Sequence, residues 1–122
     1  MDAADELELV RAALADSVSS SVTWARGVTD RMSKNPDMNG LQPIGVRREL
    51  RIHARSGGRI VQKVETWDQY KDKHRFCYEV TLEFDFLSNP VFVEIRYTAL
   101  DPKMPEVCLV SVHPSFKNKT QP

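Results

Sequence analysis

The feature that most constrains this chain is the strict alternation from Phe76 to His113. In the first run, Phe76, Tyr78, Val80, Leu82, Phe84 and Phe86 fall on one side, and Cys77, Glu79, Thr81, Glu83 and Asp85 on the other. Val91 to Thr98 repeats the pattern, with Val91, Val93, Ile95 and Tyr97 opposed to Phe92, Glu94, Arg96 and Thr98. Val107 to His113 sets Cys108, Val110 and Val112 against Val107, Leu109, Ser111 and His113. A period of two means strands with one packed and one open face, which is the habit of antiparallel sheets. Pro90, Pro102 and Pro105 confine the turns, because proline has no amide to give a central ladder. Arg59 to Glu65 supplies a shorter run, with Ile60, Gln62 and Val64 against Val61, Lys63 and Glu65.

The residues upstream carry the helical period. From Asp2 to about Lys34, the residues Leu7, Val10, Leu14, Val18, Val22, Ala25, Val28 and Met32 recur every three or four positions. The serines at 17 and 19–21 weaken helix propensity in the middle, so two helices are expected, with Ser20 or Ser21 capping the second. Asn35 to Gly40 reads as a loop. Leu41 to Arg55 reads as a further helix, with Pro43 in its first turn and Gly57-Gly58 as its stop. The expected fold class is therefore α+β, with N-terminal helices packed on one face of a four-stranded antiparallel sheet. One domain spans 1–122: a helical region over 1–40, a helix plus sheet over 41–114 and a flexible tail over 115–122.

Seventeen basic and seventeen acidic residues cancel, so total charge favours neither nucleic acid nor membrane as a partner. The distribution is uneven, with a basic middle between an acidic N-terminus and acidic central strands. No apolar run is long enough to span a bilayer, and the N-terminus lacks a signal-peptide pattern, so a cytoplasmic protein is expected. Cys77 and Cys108 fall on opposite faces in the alternation, which predicts two free thiols. His53, His74 and His113 have no metal-ligand spacing, and no glycine-rich phosphate loop is present. No metal or cofactor is expected.

Helices followed by a sheet whose last strand ends in histidine form a pattern carried by Gly57-Gly58-Arg59-Ile60, Val64 to Tyr70, Tyr78-Glu79-Val80, Phe92-Val93-Glu94 and Leu109 to Pro114. Over about residues 43–114 this order resembles the small ribonuclease toxins of barnase, EndoU, colicin and RelE type, nearest to RelE-like or MqsR-like toxins. Such toxins are usually basic, whereas this chain is neutral. The resemblance implies action on RNA or the ribosome and neutralisation by a cognate antitoxin.

Metal-free RNA cleavage needs a base for the 2′-hydroxyl, an acid for the 5′-oxygen and cations for the phosphorane charge. The open face offers His113, Arg96, Glu94, Glu79, Lys63 and Glu65, with Tyr78 or Tyr97 as the candidate if the site lies on the other face. The arginines of the 41–55 helix, Arg48, Arg51 and Arg55, together with Lys73 and Arg75, are the candidate phosphate contacts. Two other functions fit the same residues. A non-enzymatic partner, an immunity protein or antitoxin, would use an acidic sheet face of Glu79, Glu83, Asp85 and Glu94. A small assembly subunit would pair its N-terminal stripe with a second copy as a homodimer.

Overall fold

The computed structural model describes residues 1–16 and 19–115. Within them the chain forms three α-helices and a five-stranded mixed sheet. Helix α1 is Ala3–Ala15, α2 is Val28–Lys34 and α3 is Pro43–Arg55. The strands are β1 (Val22–Trp24), β2 (Val61–Val64), β3 (Phe76–Leu82), β4 (Val91–Tyr97) and β5 (Val107–Pro114). Their order across the sheet is β1-β5-β4-β3-β2.

The α+β class is as the alternation requires, but the sheet is neither four-stranded nor wholly antiparallel. Val22-Thr23-Trp24, assigned to helix by its apolar spacing, lies parallel to Val107-Cys108-Leu109. Two β-branched residues and a tryptophan suit a pleated surface, and the preceding Ser21 binds away from a helix, its hydroxyl donating to the Ala13 carbonyl at 3.0 Å. Gly27, at φ 83, then takes the left-handed turn into α2. The predicted helical region thus contains α1, a 3₁₀ turn over Ser19–Ser21, β1 and α2. Asp2 caps α1, its carboxylate accepting from the Asp5 amide at 2.8 Å, whereas the second helix, α2, has Gly27 and not Ser20 or Ser21 at its N-cap.

The packed face is built as the alternation predicts for β3 and β4. Tyr78, Val80, Leu82, Val91, Val93 and Ile95 are all buried with Val10 and Leu14 of α1 and Val46, Leu50 and Ala54 of α3. Burying each such aliphatic side chain contributes roughly 1.5–3 kcal/mol. Strand β5 departs from strict alternation. A bulge opposite Glu94/Ile95 lets Leu109 pair with Ile95 and Ser111 with Glu94, leaving Val110 as the extra residue. Val107 and Leu109 therefore join the core before the bulge, and Val112 and Pro114 after it. The bulge also moves Cys108 to the open side, opposite Arg96, where Cys77 already lies opposite Lys63. The two cysteines share a face, contrary to the alternation, and both are free thiols. Pro114 ends β5 opposite Val91, and of the expected tail, 116–122 lies outside the described residues. No helix among the described residues is long and apolar enough to cross a membrane.

Candidate functional site on the open sheet face

Antiparallel register places chemically useful side chains in two adjacent rows. Glu79 stands directly opposite Glu94, which stands opposite Ser111. In the next row Thr81 faces Phe92, which faces His113. Directly opposed residues sit about 5 Å apart at Cβ, so two carboxylates meet at the centre of the sheet. Each has a basic side chain at hand. Lys63 Nζ lies 2.9 Å from Glu79 Oε1, and His113 Nε2 lies 3.8 Å from Glu94 Oε1. The hydrogen bond to Glu79, then its charge, raises the Lys63 pKa above that of a free lysine, so the ammonium persists well above neutral pH. The His113 ring packs on Phe92 at a centroid separation of 5.2 Å and its Nδ1 lies 3.2 Å from the Pro114 carbonyl oxygen. That contact leaves Nε2 facing Glu94.

Beside these rows a groove of about 450 Å³ runs along β2, lined by His53, Arg59, Lys63, Glu79, Thr81 and Phe92. His53 and Arg59 join this groove although neither falls in the strand alternation that marks the other candidates. The signal lay in Gly57-Gly58, read only as a helix stop. A Cβ on Gly58 would come within 2.5 Å of the His53 ring, so glycine is what lets the imidazole fold over the backbone. His53 Nε2 then lies 2.7 Å from the Arg59 carbonyl oxygen, which fixes the ring at the groove wall.

Several predicted candidates lie elsewhere. Arg96 is on the open face by register but is only 1% exposed. It makes a two-point ion pair with Glu65, through Nε to Oε1 and through Nη2 to Oε2 at 3.3 Å, and Nη1 donates to the Ile95 carbonyl at 3.2 Å. Tyr70 closes the pair from above, its ring centre 4.9 Å from the guanidinium carbon. Arg96 and Glu65 are thus spent on each other beneath the 66–75 connector, and neither can reach a phosphate. Arg96 retains a longer contact to the site, 3.9 Å from Glu94 Oε2, which steadies that carboxylate. Tyr78 is buried on the helix side, where its hydroxyl donates to Glu6 Oε1 at 2.9 Å and accepts from Gln62 Nε2 at 3.0 Å. Burial raises its pKa well above the ordinary phenol value, which excludes it as a base near neutrality.

The expected phosphate contacts do not converge on this face. Arg48, Arg51 and Arg55 belong to α3, which packs on the opposite side of the sheet, and Arg55 Nε donates to the Ala15 carbonyl at 2.8 Å. Lys73 and Arg75 stand at the far end of β4 from Phe92, and Arg75 Nη1 donates to the Met1 carbonyl at 2.8 Å. The structure therefore brings together His113, Glu94, Glu79 and Lys63 and adds Arg59 and His53. Among the described residues no three His, Cys, Asp or Glu side chains converge as a metal site requires. No protein-family model matches the chain, and no curated protein or solved structure matches it either.

Proposed function

We propose that the open face of the sheet is the active site of a metal-independent endoribonuclease. The observation that carries this reading is the pairing of His113 with Glu94 beside a groove whose wall supplies Lys63, Arg59 and His53. Glu94 takes the proton of the 2′-hydroxyl as that oxygen attacks phosphorus. His113, in its imidazolium form, gives a proton to the 5′-oxygen as the P–O5′ bond breaks. The products are a 2′,3′-cyclic phosphate and a free 5′-hydroxyl. Lys63, with Arg59, offsets the charge that gathers on the phosphoryl oxygens. Phe92 offers an aromatic face on which a base can stack, and single-stranded RNA presents such bases. Cellular RNA or the ribosome is the target under this reading, and an antitoxin that covers the groove would silence it.

The acidic-face alternative is weaker on the same geometry. The Glu79 and Glu94 side chains are each only 17% exposed, and Lys63 lies against the first and Arg96 against the second, so they do not form an open negative surface for a basic partner. The dimer-seam alternative loses its stripe to the protein's own core, which takes up Val10, Ala13 and Leu14 fully and Leu7 in part.

Growth after induced expression tests the reading, with wild type beside His113→Ala, Glu94→Gln and Lys63→Ala. Arrest with fragmented total RNA is expected for wild type, with relief for the first two variants and partial relief for the third. Arrest that persists in His113→Ala and Glu94→Gln, both still folded, would remove these residues from the chemistry.

A further inference from the structure

A second concavity, independent of the reading above, lies at the other end of the molecule. It is lined by Glu6, Lys73, His74, Arg75, Tyr97 and Leu100 and holds about 500 Å³, the scale of a small-molecule site. Tyr97 sits five residues along β4 from Phe92, about 17 Å away, and on the helix side of the sheet opposite Val107. Its hydroxyl is buried and has no hydrogen-bond partner, the one side-chain polar atom of this kind among the described residues. Buried hydroxyls are almost always satisfied, so an orphan at a pocket wall calls for a function. The neighbouring Tyr78 shows the ordinary case, with its hydroxyl bonded on both sides and the Glu6 carboxylate engaged in the process.

Lys73 and Arg75 line the concavity together with the single carboxylate of Glu6, while Glu6 and Asp101 are the charges that act on the Tyr97 hydroxyl itself. Lys73 makes no ion pair among the described residues. Arg75 is held in place by the Met1 carbonyl and by the Phe76 ring, 4.8 Å from its guanidinium carbon, and has further N–H groups to give. His74 packs edge-on against Tyr70 at 6.0 Å between centroids. Two fixed-charge cations and a hydroxyl donor suit three acceptor oxygens better than two. Leu100, fully exposed at the rim, supplies an apolar edge for the body of a ligand.

We infer that this concavity binds a phosphate monoester on a small molecule. Lys73 and Arg75 meet the phosphate, and a small displacement of the lining uncovers the Tyr97 hydroxyl to donate to a ligand oxygen. Titration of the 15N-labelled full chain with inorganic phosphate and, separately, with adenosine monophosphate tests this. Saturable amide shifts confined to residues 73–75 and 97–100 are expected with the monophosphate. Inorganic phosphate giving the same shifts more weakly locates the phosphate as the recognised group, and inorganic phosphate giving equal affinity assigns the site to the free anion. Lys73→Ala and Tyr97→Phe are each expected to weaken binding about ten-fold or more. Tyr97→Phe leaves the thermal midpoint equal to or above wild type, which separates lost binding from lost folding. Shifts that never saturate with either probe, or a Tyr97→Phe variant that binds as wild type does, would overturn the inference.

Discussion

The Arg96–Glu65 pair shows at the scale of single residues how one charge can be removed from solvent. A guanidinium at 1% exposure is tolerable because Glu65 meets it at two points, Ile95 takes a further N–H and Tyr70 covers it. Removing one partner strands the other. Glu65→Ala should cost about 3–5 kcal/mol in urea unfolding, while the paired change Glu65→Leu with Arg96→Met should recover most of that loss. A loss under about 1 kcal/mol for Glu65→Ala would mean that the pair is solvated in solution. Tyr78 yields a prediction of pH dependence. Its folded pKa is raised by burial above the unfolded value of 10.0. Its contribution to stability is therefore complete below about pH 10 and declines as pH rises through the folded pKa. Absorbance at 295 nm should show Tyr78 ionising only with unfolding, and Tyr78→Phe should flatten the alkaline fall in stability. Early ionisation, with the fold intact, would contradict the buried hydrogen-bonded phenol.

The elements differ in how much of themselves they show in sequence. Strands β3 and β4 were legible because each alternates over seven residues with three residues of one face fully in the core and the fourth packed at its edge. Helix α3 was legible from Pro43, its Val46/Leu50/Ala54 stripe and the glycines after it. Strand β1 was not, because three residues are too few for a period and their spacing fits the stripe of the flanking helices. Its partner, β5, lies more than eighty residues away, and parallel pairing leaves no hairpin signal between them. The β5 bulge was hidden for a similar reason: an extra residue shifts the pattern by one, and Val110 looks as suitable for a core as Val112. The connector 66–75 is ordered by successive turns that bond Tyr70 and Lys71 to Trp67 and then His74 to Tyr70. That this connector would bury Arg96 was beyond any local pattern. Tyr70→Ala should remove about 0.5–2 kcal/mol of cation–π attraction and speed amide exchange across 67–74. Unchanged exchange there would show that the turns, not the ring, hold the connector down.

At the scale of the whole molecule, the sheet divides the labour between its faces. One face is closed by α1 and α3 and provides stability. The other is roofed at one end by the connector and left open at the end where Phe92, Glu94 and His113 meet. The candidate site follows from that division: register sets His113 diagonal to Glu94, and β2 lines a groove that begins beside them at Phe92 and Glu79. Of the candidates on the alternating strands, those that face open solvent at this end come together. Those that face the helices or lie under the connector do not, because burial is decided by segments far away in sequence.

Whether the open sheet face cleaves RNA is decided by incubating purified protein with single-stranded RNA in the presence of a chelator and reading the product ends. Fragments ending in 2′,3′-cyclic phosphate, absent with an all-2′-deoxy substrate, are the predicted result. Rates should fall about 10²–10⁴-fold in His113→Ala and in Glu94→Gln. Intact RNA with folded wild-type protein, or cleavage that survives both substitutions, would contradict cleavage at this face.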